Sequence, residues 1–189
     1  MKNVIVPLAK GFEEIELVSV VDVLRRAGVR VAMASLDSHK RVLGAHNIVI
    51  EANAALPELD CADYDAIVLA GGYEGMQNLA NNELIMSWLH QFNQAKKLIG
   101  AICAAPLVFE KAGVLASDFT CYPGCEQGIA GKTRQDCALV VSENCITSAA
   151  PATALIFALA LVRALCGEEA ARTLQSELQL PLLQAHLAR

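Results

Sequence analysis

The hydrophobic positions of this chain switch repeatedly between a strand-like and a helix-like period. Asn3–Leu8 is mostly apolar and predicts a first core strand. From Glu14 to Ala27 the apolar residues Ile15, Val18, Val21, Val23 and Leu24 recur at helical spacing, with Arg25 and Arg26 in the last turn and Gly28 as the stop. Val29–Ser35 predicts a second strand, and Val42–Ile50 a short hairpin or edge excursion. "YDAIVLAGG" (Tyr64–Gly72) predicts a strand ending in two glycines, and Glu83–Gln94, with the single tryptophan Trp88, predicts a helix. Leu98–Ile102 is the next strand, followed by a helix from Ala104 to Lys111 that Gly113 stops. Phe119–Cys121, Ala138–Val141 and Cys145–Ser148 read as short strands. Pro151 suits the first turn of a helix reaching Cys166; Gly167 ends it, and a further helix covers Glu168–Leu178.

Strands alternating with helices in this way imply βαβ units. The fold class is therefore α/β, with a mostly parallel sheet covered by helices on both faces. No internal repeat, low-complexity segment or linker divides the chain, so residues 1–189 are expected to form a single domain. In such sheets, sites form beyond the carboxyl ends of the strands. Three loops leave those ends here: "AKGFEEIE" after the first strand, "AGGYEGMQN" after the Tyr64 strand, and "CAAP" after the Leu98 strand. All three are expected to meet at one pocket.

Composition narrows the partners. Fifteen basic residues against twenty acidic ones give a net charge of −5 with no basic run, which argues against nucleic-acid binding through phosphates. No apolar run reaches the roughly 18 residues of a membrane span. The longest candidate, Ala154–Cys166, is broken by Arg163. "MKNVIVPLAK" is interrupted too early by Pro7 and Lys10 to read as a signal peptide. The seven cysteines, an odd number, fit free thiols in a reducing cytoplasm better than a disulfide framework. The nearest pair, Cys121 and Cys125, lacks a second pair and a nearby histidine, so neither a metal nor another cofactor is expected.

One cysteine stands apart. In "LIGAICAAPLVF", Cys103 sits where the strand turns into the helix. A nucleophile on such a turn is held at the top of the sheet with its reactive atom exposed, as in the GxSxG elbow. Free amides at the helix start favour the thiolate, and backbone N–H groups there and at Gly72 are placed to form an oxyanion hole. Gly71 and Gly72 permit a close backbone approach. Pattern alone leaves open whether Cys103 is a nucleophile or a packing residue. It likewise leaves Glu13, Glu14 and Glu16 readable as solvated acids at a helix start.

The runs "NVIVPLAKGFEEIELVSVVDVLRRAG", "YDAIVLAGG", "NLA", "LIGAICAAP" and "TSAAPATALIFALALVRALCG" together resemble the ThiJ/PfpI superfamily. The likeness is to the branch that contains the parkinsonism-associated protein deglycase, and it extends to about Gly167. The resemblance implies a flavodoxin-like three-layer sandwich that commonly dimerises through its first helix. It implies that Cys103 is the nucleophilic, oxidation-sensitive cysteine, and that Glu16 hydrogen-bonds its sulfur. It also implies that the amides of Gly72 and Ala104, beside Gly71, form the anion hole. The departures are specific. Ala104 follows the cysteine, and Tyr122 precedes Pro123 where many relatives carry a histidine. Ala149 stands where close relatives carry an arginine, which leaves Arg26, across a dimer interface, as a remaining cation for the pocket mouth. Of the four histidines, only His46, in the hairpin region, is a candidate to face the pocket. Tyr122 is a poor general base at neutral pH but can orient a substrate.

The resemblance implies a small cytoplasmic enzyme acting on methylglyoxal-like α-oxoaldehydes or their protein adducts. That is a glutathione-independent glyoxalase or a protein deglycase, and not a protease. The alternative is a non-enzymatic redox sensor and stress-response chaperone that uses oxidation of Cys103.

Overall fold

The computed structural model describes residues 1–187. Seven strands form one sheet in the order β5-β2-β1-β6-β7-β9-β8. They are β1 (Asn3–Leu8), β2 (Arg30–Ser35), β5 (Ala54–Ala55), β6 (Ala66–Leu69), β7 (Leu98–Ile102), β8 (Leu139–Ser142) and β9 (Cys145–Ser148). All neighbours are parallel except β8, which closes the edge antiparallel to β9. The predicted hairpin excursion is present as β3 (Arg41–Leu43) paired with β4 (Val49–Glu51) outside the main sheet.

Helices cover both faces. α1 (Glu14–Arg26), α5 (Ala154–Cys166) and α6 (Glu168–Glu177) build one core with Val4, Val6, Leu17, Leu24, Phe157 and Leu161. α2 (Tyr73–Ala80), α3 (Glu83–Gln94) and α4 (Pro106–Lys111) build the other with Ile5, Ile67, Leu89, Phe92, Ile99 and Phe109. Strand residues of alternating parity feed the two cores, so the central strands are apolar throughout, as a doubly covered parallel sheet requires. α7 (Leu180–Leu187) follows α6 at the end of the described chain. Among the described residues, no helix is long and apolar enough to cross a membrane.

Three expectations change. Phe119–Cys121 forms no strand; it has only an isolated bridge from Phe119 to Arg134. Tyr73–Ala80, read as loop, is a helix whose buried Met76, Leu79 and Ala80 fall at helical spacing. The Gly-Gly step before it and Gly75 within it obscured that period. The helix expected from Ala104 begins instead at Pro106, after a turn over residues 103–105.

The chain direction reverses between β1 and β6: the chain first builds outward to β2 and then returns to the other side of β1. That switch point leaves a crevice at the carboxyl ends of the strands. The loops after β1, β6 and β7 meet there, as the sequence predicts.

Candidate active site

Cys103 follows β7 with a φ of 63°. This left-handed conformation costs a non-glycine residue about 1–2 kcal/mol. Both of its backbone groups are tied down. Its N–H donates to Ser148 O at 2.9 Å, at the end of β9, and its carbonyl accepts from Tyr122 N–H at 2.8 Å. Neighbouring chain thus holds the strained elbow, and the sulfur faces the crevice. Tyr122 serves here through its backbone, while its side chain is 48% exposed.

Glu16 comes from the first turn of α1. Glu13 is the N-cap of that helix, and its Oε2 accepts from Glu16 N–H at 2.7 Å. The Glu16 side chain is fully buried. Its Oε2 accepts from Gly71 N–H at 2.6 Å. Its Oε1 is buried with no hydrogen-bond partner. An orphaned buried oxygen is expensive and calls for a functional reason. The Gly71 amide, the Glu13 charge and the Cys103 thiol all act on this carboxyl.

Gly71 separates the two side chains. A Cβ on it would stand 2.7 Å from Cys103 Cβ and 2.8 Å from Glu16 Oε2. Gly72 has a φ of 88° and begins α2. A side chain at Gly71 would displace the acid or the elbow, and one at Gly72 would run into the backbone of Gly11, Phe12 and Glu13. Gly71→Ala is expected to lower Cys103 reactivity by about tenfold or more, since small misplacements in such sites are costly. Peptide-resolved alkylation measures it, with circular dichroism unchanged; wild-type reactivity would show that Glu16 and Cys103 need not be this close.

The electrostatics differ from the expected thiolate at a helix start. Burial and the neighbouring Glu16 carboxyl push the Cys103 thiol well above its ordinary range, while the Gly72 and Ala104 amides pull it down. α4 is only six residues long, so its dipole has little leverage against burial. Glu16 is itself pushed up to about 7, by burial and by the charge of Glu13, against the Gly71 amide and the Cys103 interaction. Two acids in one dry corner cannot both ionise, so they titrate as a pair that shares protons. A thiolate can form here only while Glu16 keeps its proton.

His46 does not reach the sulfur. It lies in the β3–β4 turn, where its Nδ1 is 2.7 Å from Glu14 Oε2 and its N–H donates to Glu14 Oε1 at 2.7 Å. Glu14 is held below its ordinary value because these His46 hydrogen bonds outweigh the cost of burial. Its hydrogen bond to Glu14 raises the His46 pKa. Glu13, Glu14 and His46 offer ligand atoms within 4.8 Å of one another. Their internal hydrogen bonds satisfy them as a clamp of the hairpin on α1, so they do not read as a metal centre. Arg26 is paired with Asp22 at 2.7 Å.

The other thiols sit elsewhere. Burial raises Cys61, Cys121, Cys125, Cys145 and Cys166, and all seven cysteines are free. A surface depression of about 630 Å³ lies at the amino ends of the strands beside Lys2, Asp65 and Lys97, and is lined by no cysteine. Sequence reasoning missed two participants. Glu13 fixes the start of α1, and Ser148 anchors the elbow. The Glu at the residue before a helical period was a legible signal for the first; pairing of β7 with β9 was needed for the second.

A model of the DJ-1/PfpI family matches residues 2–164. Protein DJ-1 homolog B of Arabidopsis thaliana is 36% identical over 169 residues, which is 88% of this chain but 39% of that protein. The chain thus spans well under half the length of that relative. The glutathione-independent glyoxalase DJR-1.2 of Caenorhabditis elegans is 35% identical over 86% of this chain and 87% of its own length. The solved structure of oxidized Toxoplasma gondii DJ-1 superposes with a TM-score of 0.91 at 31% identity, covering 95% of this chain and 98% of that one. With the sandwich fold and the cysteine elbow already in place, these likenesses settle the family: the chain belongs to the DJ-1/PfpI family.

Proposed function

We propose that this chain is a cysteine-dependent enzyme that converts methylglyoxal-like α-oxoaldehydes, free or as protein adducts, to hydroxy acids. The observation that carries this reading is the Cys103–Glu16 pair across Gly71, with the Gly72 and Ala104 amides on the sulfur side. Cys103 sulfur adds to the aldehyde carbon, and the same amides receive the oxyanion of the hemithioacetal. Glu16 gives its proton to that oxyanion, then as carboxylate takes the proton from the same carbon and returns it to the adjacent carbon, while the hydroxyl proton passes to the neighbouring oxygen, leaving a thioester of the hydroxy acid. Water then releases lactate and the thiol. A carboxyl near 7 suits both halves of that transfer. A relative named a glutathione-independent glyoxalase supports the reading. The deciding experiment is lactate formation from methylglyoxal without glutathione; no lactate at any protein concentration would overturn it.

A second reading, a redox sensor that uses Cys103 in a stress response, draws support from the solved oxidized form of the Toxoplasma gondii relative. Protonated Glu16 and the two amides suit a sulfinate as well as an oxyanion. Seven free thiols fit a cytoplasmic setting.

The chain is also proposed to act as a homodimer. Val21 and Leu24 of α1 are buried in the chain's own core. Ile15 and Val18 remain 59% and 51% exposed, and Ile48 and Val49 of the hairpin are exposed too. An apolar face of this kind marks an association surface. Sedimentation at micromolar concentration is expected to give a dimer, and Val18→Glu a monomer; a wild-type monomer would count against it.

A further inference from the structure

Three hydrogen bonds close a ring at the start of α1. Glu13 N–H donates to Gly71 O at 3.0 Å, Gly71 N–H donates to Glu16 Oε2 at 2.6 Å, and Glu16 N–H donates to Glu13 Oε2 at 2.7 Å. The carbonyl of Gly71 and the N–H of Gly72 belong to one planar peptide and point in opposite directions. Holding the carbonyl on Glu13 therefore turns the Gly72 N–H away, toward the Cys103 sulfur on which it acts. The same ring fixes a second buried carboxylate, that of Glu13, against the carboxyl of Glu16.

From this ring and its charge we infer that Glu13 is a positioning residue, which shifts the single proton shared by Glu16 and Cys103 toward Glu16 and so raises the share of thiolate at the sulfur. The inference rests on Cys103 being the nucleophile. A pair with one proton has two arrangements of equal net charge: Glu16 neutral with Cys103 thiolate, or Glu16 carboxylate with Cys103 thiol. The proton moves between Sγ and the carboxyl, and nothing is oxidised. A negative charge at Glu13 raises the energy of whichever anion is nearer. Glu13 Oε2 accepts from Glu16 N–H at 2.7 Å, whereas Gly71 stands between Glu16 and Cys103, so the Glu13 charge bears more on the carboxyl, which it raises, than on the sulfur. It shifts the balance toward the arrangement with the thiolate.

The other charges around Glu13 do not cancel it. His46 Nδ1 stands 4.0 Å from Glu13 Oε1, but its closer partner is Glu14 at 2.7 Å, and those two balance each other. Beyond Gly11, Lys10 and Glu74 pair at 2.9 Å and are likewise balanced. Glu13 is left as the uncompensated charge beside Glu16.

Two substitutions separate charge from packing. Glu13→Gln keeps an oxygen to accept from Glu16 N–H and removes the charge. Glu13→Asp keeps the charge on a good N-cap residue. The readouts are the pH profile of Cys103 alkylation, resolved by peptide, and the infrared band of the neutral Glu16 carboxyl, identified by its loss in Glu16→Gln. The position of a single shared proton does not depend on pH. Glu13→Gln is therefore expected to lower the alkylation plateau through the neutral range by about fivefold and to weaken the carboxyl band. Glu13→Asp is expected to stay within about twofold of wild type. A Glu13→Gln protein with an unchanged plateau and band overturns the inference, as does a Glu13→Asp protein that falls as far as Glu13→Gln. Lactate assays run in parallel keep the two readings apart. A wild-type protein that forms no lactate, yet whose plateau depends on the Glu13 charge, overturns the proposed activity and supports this inference. Lactate formation with a plateau indifferent to Glu13 overturns this inference alone.

Discussion

Cys103→Ala is expected to abolish lactate formation from methylglyoxal, and Cys103→Ser to retain less than about a thousandth of the wild-type rate. A hydroxyl in that buried corner has no accessible alkoxide, and the reaction begins with an anion that adds to a carbonyl. Loss of the fold would not explain the result, because the sulfur makes none of the backbone hydrogen bonds that hold the elbow. The elbow is held by Ser148 O and by Tyr122 N–H, which contact only the backbone of residue 103. Alanine pays about the same strain at a φ of 63° as cysteine does. Both variants should therefore unfold at urea concentrations near that of wild type. Cys137 and Cys166 are exposed and will also be alkylated, so total thiol loss is a poor measure; the peptide bearing residue 103 must be followed. Lactate formation that survives in Cys103→Ala would move the nucleophile to another residue and remove the central claim.

The layers of the fold were legible in the sequence because strands buried on both faces and amphipathic helices carry different periods. Asn3–Leu8, Leu98–Ile102 and Cys145–Ser148 have the observed bounds, and Glu83–Gln94 does too. Tyr73–Ala80 escaped because glycine at 72 and 75 looks like a turn when contacts are invisible. Gly75 is small for another reason: a Cβ there would stand 2.9 Å from Gly11 O. Phe119–Cys121 has strand-like residues, but it pairs at only a single bridge. The loops leaving the carboxyl ends of central strands pointed to Cys103, Gly71 and Gly72, whereas Glu16, in the first turn of α1, was singled out only by the family resemblance. What the sequence missed was the balance of charge. A cysteine before a helix suggests a depressed thiol pKa; the structure shows burial winning, because α4 is short and an acid lies next to the sulfur. That outcome depends on distance and desolvation, which no local pattern records.

The same balance makes Glu16 the residue whose replacement should be most instructive. Its carboxyl is pushed up to about 7 from an ordinary value of 4.5, burial being the first cause and the charge of Glu13 adding to it. The folded protein therefore holds this proton more tightly than the unfolded chain does. Stability from this source is present below about pH 4.5, is lost as pH rises toward 7, and is absent above it. Glu16→Gln never ionises and keeps an oxygen for Gly71 N–H. It should be more stable than wild type at about pH 8, by on the order of 3 kcal/mol, and no more stable at about pH 4. Its amide can still donate to the sulfur, so Cys103 should remain alkylatable at neutral pH, without the inflection near 7 expected of wild type. It has no proton to carry between carbons, so lactate formation should fall by about a thousandfold or more. Glu16→Leu removes donor and acceptor together. Cys103 is then a buried thiol assisted only by two amides, and both alkylation at neutral pH and lactate formation should be lost. Urea titrations across pH, peptide-resolved alkylation and the lactate assay measure these three effects on one set of proteins. If Glu16→Leu leaves the alkylation profile of Cys103 as it is in wild type, the carboxyl and the thiol do not share a proton, and Glu16 has no part in activating the nucleophile.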